Sequence, residues 1–247
     1  TPEQQLRQFV TASPCPPVTE AALLRLRRAG GTRTIAQHEK DLSALYAQCK
    51  TPEKRAWLVA AVEDAYSDRP FKKMREAFYR KALGDRDEAV RAAAVVGMLD
   101  FVREFGEDSR KLEAVAGRIT DPALKARTRQ KLELWAIDRY AQMLRKEDTR
   151  ARAEMRLTQL SRSDDLEVAS EAVLAIWRGR RYRRANQTDM VPLWTKLYER
   201  ILADPVARGD DARKNTILHA VEFANDRDLV AFYKIALSDP DGRQRQR

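Results

Sequence analysis

The residues LGDRDEAVRAAAVVG, Leu83 to Gly97, set an acidic turn directly before a helix rich in valine, arginine and alanine. The arrangement returns along the chain. An apolar residue precedes each acidic or proline-containing turn at Leu45, Leu83, Ile119, Leu160, Leu202 and Leu237, at intervals of 35 to 42 residues. That length accommodates two antiparallel helices and their connections. A single helix pair has an apolar face it cannot bury by itself, so successive pairs must stack, and few other folds are open to a chain patterned this way.

Each position in the pattern has a mechanical role. Asp87, Asp121, Asp165 and Asp211 are expected to accept hydrogen bonds from the free N–H groups of the helix that follows, where their charge also suits the positive helix end. Pro122 suits a first helical turn, where no donor is missed, and Pro205 punctuates another turn. Ala92, Ala93, Ala94, Ala172 and Ala175 are small enough for neighbouring helices to approach closely. Arg91 is expected to bond to an acidic turn of an adjacent repeat rather than to a ligand, because charges at interior seams are usually paired.

Leu83, Asp85, Asp87, Val90, Arg91 and Ala94 together resemble the HEAT-repeat pattern Leu-x-Asp-x-Asp-x-x-Val-Arg-x-x-Ala. At Ile119 the resemblance keeps Asp121, Pro122 and Arg127. At Leu160 it keeps Asp164, Asp165, Val168 and Ala172 but no arginine, and at Leu202 the segment VARGDDA interrupts it. The resemblance covers residues 35–247. It implies an all-α, right-handed α-solenoid of about five to six antiparallel helix pairs, and it implies nothing specific about activity.

Composition agrees with an all-α chain. The 43% hydrophobic and 34% charged residues allow a core beneath a heavily solvated surface, while 9 glycines and 7% aromatic residues argue against a β-sandwich. The expected helices run Pro2 to Ala12, Thr19 to Ala29, Thr34 to Gln48, Pro52 to Ser67, Pro70 to Leu83, Asp87 to Phe105 and Ser109 to Ile119. They continue from Pro122 to Arg145, Arg150 to Ser161, Leu166 to Trp177, Val191 to Ala203, Ala212 to Ala224 and Asp228 to Leu237. The longest carries Leu134, Ile137, Ala141 and Leu144 on one face. Trp135 and Tyr140 read as fillers of the seams between repeats. Residues 1–33, with their SPCPP and AGG breaks, fit the repeat poorly and are expected to form an atypical N-terminal helical cap on a single continuous array over 34–247. LSDPDGRQRQR reads as the opening of a further turn, so the array is expected to be truncated there.

Charge gives the main functional lead. The 47 lysines and arginines against 37 acidic residues leave a net charge of +10, which favours acidic partners: nucleic acid, an acidic protein or an anionic surface. The densest basic cluster is WRGRRYRR, in which Arg178, Arg180, Arg181, Arg183 and Arg184 surround Tyr182. Guanidinium groups bind phosphate bidentately and an interleaved aromatic ring can stack on a base. The plainer alternative is a solvated helix end whose arginines pair with neighbouring acidic turns. Lys72 and Lys73, in KKMREAFYRK, form a second candidate, with Phe78 expected in the core.

Catalytic motifs are missing: there is no glycine-rich phosphate loop, Gly-x-Ser-x-Gly elbow, His-Glu-x-x-His or Cys-x-x-Cys. The aspartate pairs at 164–165 and 210–211 sit at helix starts, where capping explains them. His38 and His219 lie far apart, so neither a metal site nor a cofactor is expected. Cys15 and Cys49 allow a disulfide in an oxidising compartment and two thiols in the cytoplasm, the location favoured. Nothing approaches a membrane-spanning run. Three readings follow: a non-enzymatic scaffold binding a protein or peptide, an α-solenoid binding nucleic acid through phosphates, and, by resemblance to alkylpurine DNA glycosylases, a repair enzyme using Trp135, Asp138 and Arg139. The first is preferred.

Overall fold

Helix caps recur where the acidic and threonine turns lie. In the computed structural model, which describes residues 2–12, 15–182, 190–210, 214–218 and 229–240, Thr51 Oγ1 accepts from Lys54 N, Asp87 Oδ1 from Ala89 N, Asp121 Oδ1 from Leu124 N and Asp165 Oδ1 from Val168 N. Each such cap stabilises its helix by about 1 kcal/mol. Thr34 adds a reciprocal capping box with Gln37. Asp211 lies outside the described residues.

All regular structure among the described residues is helical. The helices are α1 (Pro2–Ala12), α2 (Pro16–Ala29), α3 (Ile35–Gln48), α4 (Pro52–Ala65), α5 (Lys72–Ala82), α6 (Glu88–Met98), α7 (Glu107–Gly117), α8 (Pro122–Met143), α9 (Glu147–Leu160), α10 (Leu166–Tyr182), α11 (Val191–Ala203) and α12 (Val230–Ala236). Residues 214–218 are also helical. Most starts and stops fall within three residues of expectation, but two helix ends differ. The helix expected to reach Phe105 stops at Met98, because Phe101 and Val102 turn back to the core, the Phe101 ring sitting 6.1 Å from Tyr79 and 5.3 Å from the Arg75 guanidinium. The helix expected to stop at Trp177 runs on to Tyr182, because Gly179 is not a stop: it lies where a Cβ would fall 2.6 Å from Leu144 Cδ1.

The chain divides into two compact units, 1–132 and 133–247, with the boundary inside α8. The cap boundary expected at 33/34 falls inside the first unit. In the first unit α2 packs on α4 and α4 on α6, while α1 packs on α3 and α3 on α5. Leu23, Leu58, Val59, Val62, Val90 and Val95 are buried along these contacts. The expected cap segment supplies α1 and α2, and a closed ring of ion pairs ties it to α3: Arg7 and Arg33 each donate to both Glu3 and Asp41, at 2.7–3.0 Å. Cys49 is a buried thiol and not half of a disulfide with Cys15, and burial pushes it up to about 11, leaving it almost wholly protonated.

The turn before α6 is the best-connected part of the first unit. Asp85 accepts from Tyr46 of α3, from Arg55 Nε of α4 at 3.2 Å and from Asp87 N at 2.8 Å. Arg91, expected to reach an adjacent acidic turn, instead donates to the carbonyls of Asp85 and Arg86 in its own turn. Arg55 makes the link between turns, because its shorter path from α4 delivers the guanidinium to the Asp85 carboxylate. Further on, Glu88 accepts from Thr120 N and Asp121 N, joining the α6 start to the turn before α8.

Burial raises the Asp85 carboxyl, but the hydrogen bonds from Tyr46 and Asp87 N–H, with the Arg55 charge, outweigh it and hold the group below its usual value. A depressed carboxyl stabilises the folded state above its unfolded pKa, about 3.9, and that contribution is lost as pH falls through the folded value. The urea midpoint is therefore expected to drop on acidification below about pH 4. In Asp85→Asn the drop should be shallower. Equal pH slopes for the two proteins would remove Asp85 from this role.

In the second unit α9 packs on α10, α10 on α11 and α11 on α12. Its core is drawn from Val168, Ala172 and Val173 of α10, Trp194, Tyr198 and Ile201 of α11, and Phe232 of α12. Ala172 and Ala175 are buried, as their size requires at close helix contacts. Tyr140 packs against the same core.

Candidate functional site

α8 and α10 share a cleft of about 550 Å³ in the second unit. Its floor comes from the stripe Leu134, Ile137, Ala141 and Leu144 of α8, joined by Ala175 and Gly179 of α10. Gly179 abuts Leu144, which brings the C-terminal parts of the two helices together. The charges follow a common order along both helices. On α8, Asp138 precedes Arg145, just past the helix end; on α10, Glu167 and Glu171 precede Arg178. Acidic and basic side chains thus both line the cleft, the acids preceding the bases along each helix.

These charges remain accessible. Arg178 comes within 3.9 Å of Glu171, with side chains 61% and 46% exposed, so the pair is readily exchanged for contacts with another molecule. Asp138 accepts from Arg139 Nη2 at 2.6 Å and from Gln142 Nε2 at 3.1 Å, which turns its carboxylate along its own helix. Trp135 is not among the residues that line the cleft. The constellation that the glycosylase resemblance would use is thus split, Asp138 alone facing the cleft.

The basic cluster read from the sequence is divided by the fold. Trp177 is buried, Arg178 stands on the cleft rim, and Arg180 donates Nε to Glu154 of α9 at 3.4 Å with only 18% of its side chain exposed. Arg181 and Tyr182 complete the backbone of α10, and their side chains lie outside the described residues, as do Arg183 and Arg184 altogether. On α5, Lys72 lies 5.9 Å over the Phe101 ring and Lys73 is exposed, whereas Phe78 is buried as expected.

Among the described residues no three His, Cys, Asp or Glu side chains are grouped to hold a metal ion. His38 is buried edge-on against Tyr66 and Phe71, and burial with the Arg33 charge lowers its pKa. No helix among the described residues is long and apolar enough to cross a membrane. The sequence reached the α8 stripe and, on α10, Ala175 and Arg178, but not that they share one cleft. Compared with protein-family models, curated proteins and solved structures, the chain matches none of them.

Proposed function

We propose that the chain is a HEAT-like α-solenoid that acts as a non-enzymatic scaffold, and that the α8–α10 cleft holds a peptide segment of a protein partner. Side-by-side stacking of α2, α4 and α6, with α1, α3 and α5 alongside, supports the repeat reading in the first unit. So do the turn-to-turn links from Arg55 to Asp85 and from Glu88 to Asp121. One observation carries the binding role: a cleft lined by an apolar stripe and by acids that precede bases along both flanking helices. The complementary partner is a segment with an apolar anchor between a basic and an acidic end. Apolar contact supplies affinity and the rim charges set direction.

Selection of random peptides on the full chain tests this reading. The expected consensus is an apolar residue flanked by lysine or arginine on one side and by aspartate or glutamate on the other. Reversing one end with Glu167→Lys and Glu171→Lys should weaken a selected peptide by roughly tenfold, about 1.4 kcal/mol. Reversing both ends, by adding Arg145→Glu and Arg178→Glu, should favour the peptide of inverted charge order. All four positions are at the surface, so the fold should survive. Absence of a consensus, or identical peptides on parent and reversed chains, would refute the role.

The nucleic-acid reading rests on the net charge of +10. Phosphate contacts of that kind weaken steeply with salt, so anisotropy of labelled DNA and RNA across a salt series, with polyglutamate as competitor, separates it from peptide binding. Of its described arginines, Arg180 is already engaged by Glu154.

A further inference from the structure

A second cleft in the same unit, of about 350 Å³, lies between the α9 end and α11. Three cations line it: Arg162, just past α9, and Lys196 and Arg200 of α11, with Pro192, Leu193 and Leu197 as an apolar wall and no carboxylate in the lining. Lys196 and Arg200 stand at i and i+4 on one helix face, where like charges repel. Among the described residues none of the three forms an ion pair, and the acids next to them in sequence, Asp164 and Glu199, are exposed and stay outside the lining. Arg200 is also held in place: its Nη2 donates to the carbonyls of Ser163 and Asp164 at 2.8 and 3.1 Å, which leaves Nε and Nη1 to face other groups.

Positive charge at helix ends complements the helix dipole, and that accounts for Arg162 and for Arg200 in the last turn of α11. It accounts neither for Lys196, in the middle of α11, nor for the convergence of all three on one small cleft. We propose that this cleft binds a dianionic phosphate group, free or as a monoester. A monoester brings close to two negative charges and three acceptor oxygens to a single point, which suits three cations lining one small cleft; a backbone phosphodiester brings one charge and calls for cations strung along a track. The fixed Arg200 guanidinium gives the site its geometry, Arg162 and Lys196 supply mobile charge, and the apolar wall lowers the local dielectric and strengthens all three contacts. The site shares no residue with the α8–α10 cleft, so it stands whatever that cleft binds.

The test uses the full chain and inorganic phosphate, with sodium chloride at equal ionic strength as control. Phosphate is expected to raise the melting temperature where chloride does not, and titration calorimetry should give a dissociation constant that rises by about tenfold or more in Arg162→Gln with Lys196→Gln. Both positions are exposed, so circular dichroism and melting without phosphate should match the parent. A phosphoserine peptide that displaces phosphate at lower concentration than phosphate itself places the ester on a partner's side chain. Displacement only at equal or higher concentration assigns free phosphate, and either result supports the site. Equal responses to phosphate and chloride, unchanged affinity in the double variant, or single-stranded DNA binding lost in that variant without any response to phosphate would each overturn it.

Discussion

In a Gly97→Glu variant the urea midpoint is expected to fall by the equivalent of about 4 kcal/mol or more, a large part of the 5–15 kcal/mol that holds a typical domain together. Gly97 lies on α6 where a Cβ would sit 2.5 Å from Cε1 and Cζ of Tyr79 on α5. The ring cannot retreat, because Tyr79 is 1% exposed and is flanked by Phe78 and Phe101 at centroid distances of 6.2 and 6.1 Å. Forcing one methyl into such a site costs about 1–3 kcal/mol, and a carboxylate without a partner adds the cost of desolvating a charge. Gly97→Ala isolates the steric part, and Ala94→Glu, at a fully buried position, tests the charge with less crowding. Denaturant unfolding followed by circular dichroism measures all three. A Gly97→Glu chain as stable as the parent would mean that α5 and α6 do not meet at this residue.

The second large effect is expected at Asp239. Its carboxylate is fully buried, accepts from Tyr198 Oη at 2.9 Å and faces Lys214 Nζ at 3.2 Å, and Lys214 is itself only 1% exposed. Asp239→Ala leaves a buried ammonium without this counter-charge, which should cost about 3–5 kcal/mol. Removing both charges should be far milder, since replacing a buried pair by groups of similar size is often close to neutral. Asp239→Asn combined with Lys214→Met keeps an acceptor for Tyr198 and is expected to recover most of the loss. A double-mutant cycle by urea denaturation measures the coupling. If Asp239→Ala stays within about 0.5 kcal/mol of the parent, the pair does not stabilise the second unit.

These two positions differ in how visible they were. Gly97 closes the motif that begins at Leu83, and a small residue seven positions after Val90 lies on the same helix face two turns on. Asp239 lies in a segment, LSDPDG, that reads as an exposed acidic turn, and nothing in the local sequence marks it as buried. The pairing with Lys214, 25 residues away, and with Tyr198 of α11, 41 residues away, exists only because these segments pack together in the second unit. The candidate sites follow the same rule. Half of the α8–α10 cleft was legible as an apolar stripe, and the phosphate cleft was not legible at all, since Arg162 and Lys196 are separated by 34 residues of sequence and read singly as ordinary surface charges.

What the sequence determined by itself is local. Helix starts at Thr51, Asp87, Asp121 and Asp165, the all-helical class and the small residues at helix contacts follow from capping, from the 3.6-residue period and from side-chain volume, all of which act within one or two turns. What the tertiary structure alone decided is partnership. It sent Arg91 to the carbonyls of its own turn and gave Asp85 to Arg55, it paired Arg180 with Glu154, and it set the acids and bases of α8 and α10 in the same order around one cleft. A long charged side chain can reach several neighbours at nearly equal energy, and only the position of the packed helices, fixed by burial of apolar surface across the whole unit, determines which of them is within reach.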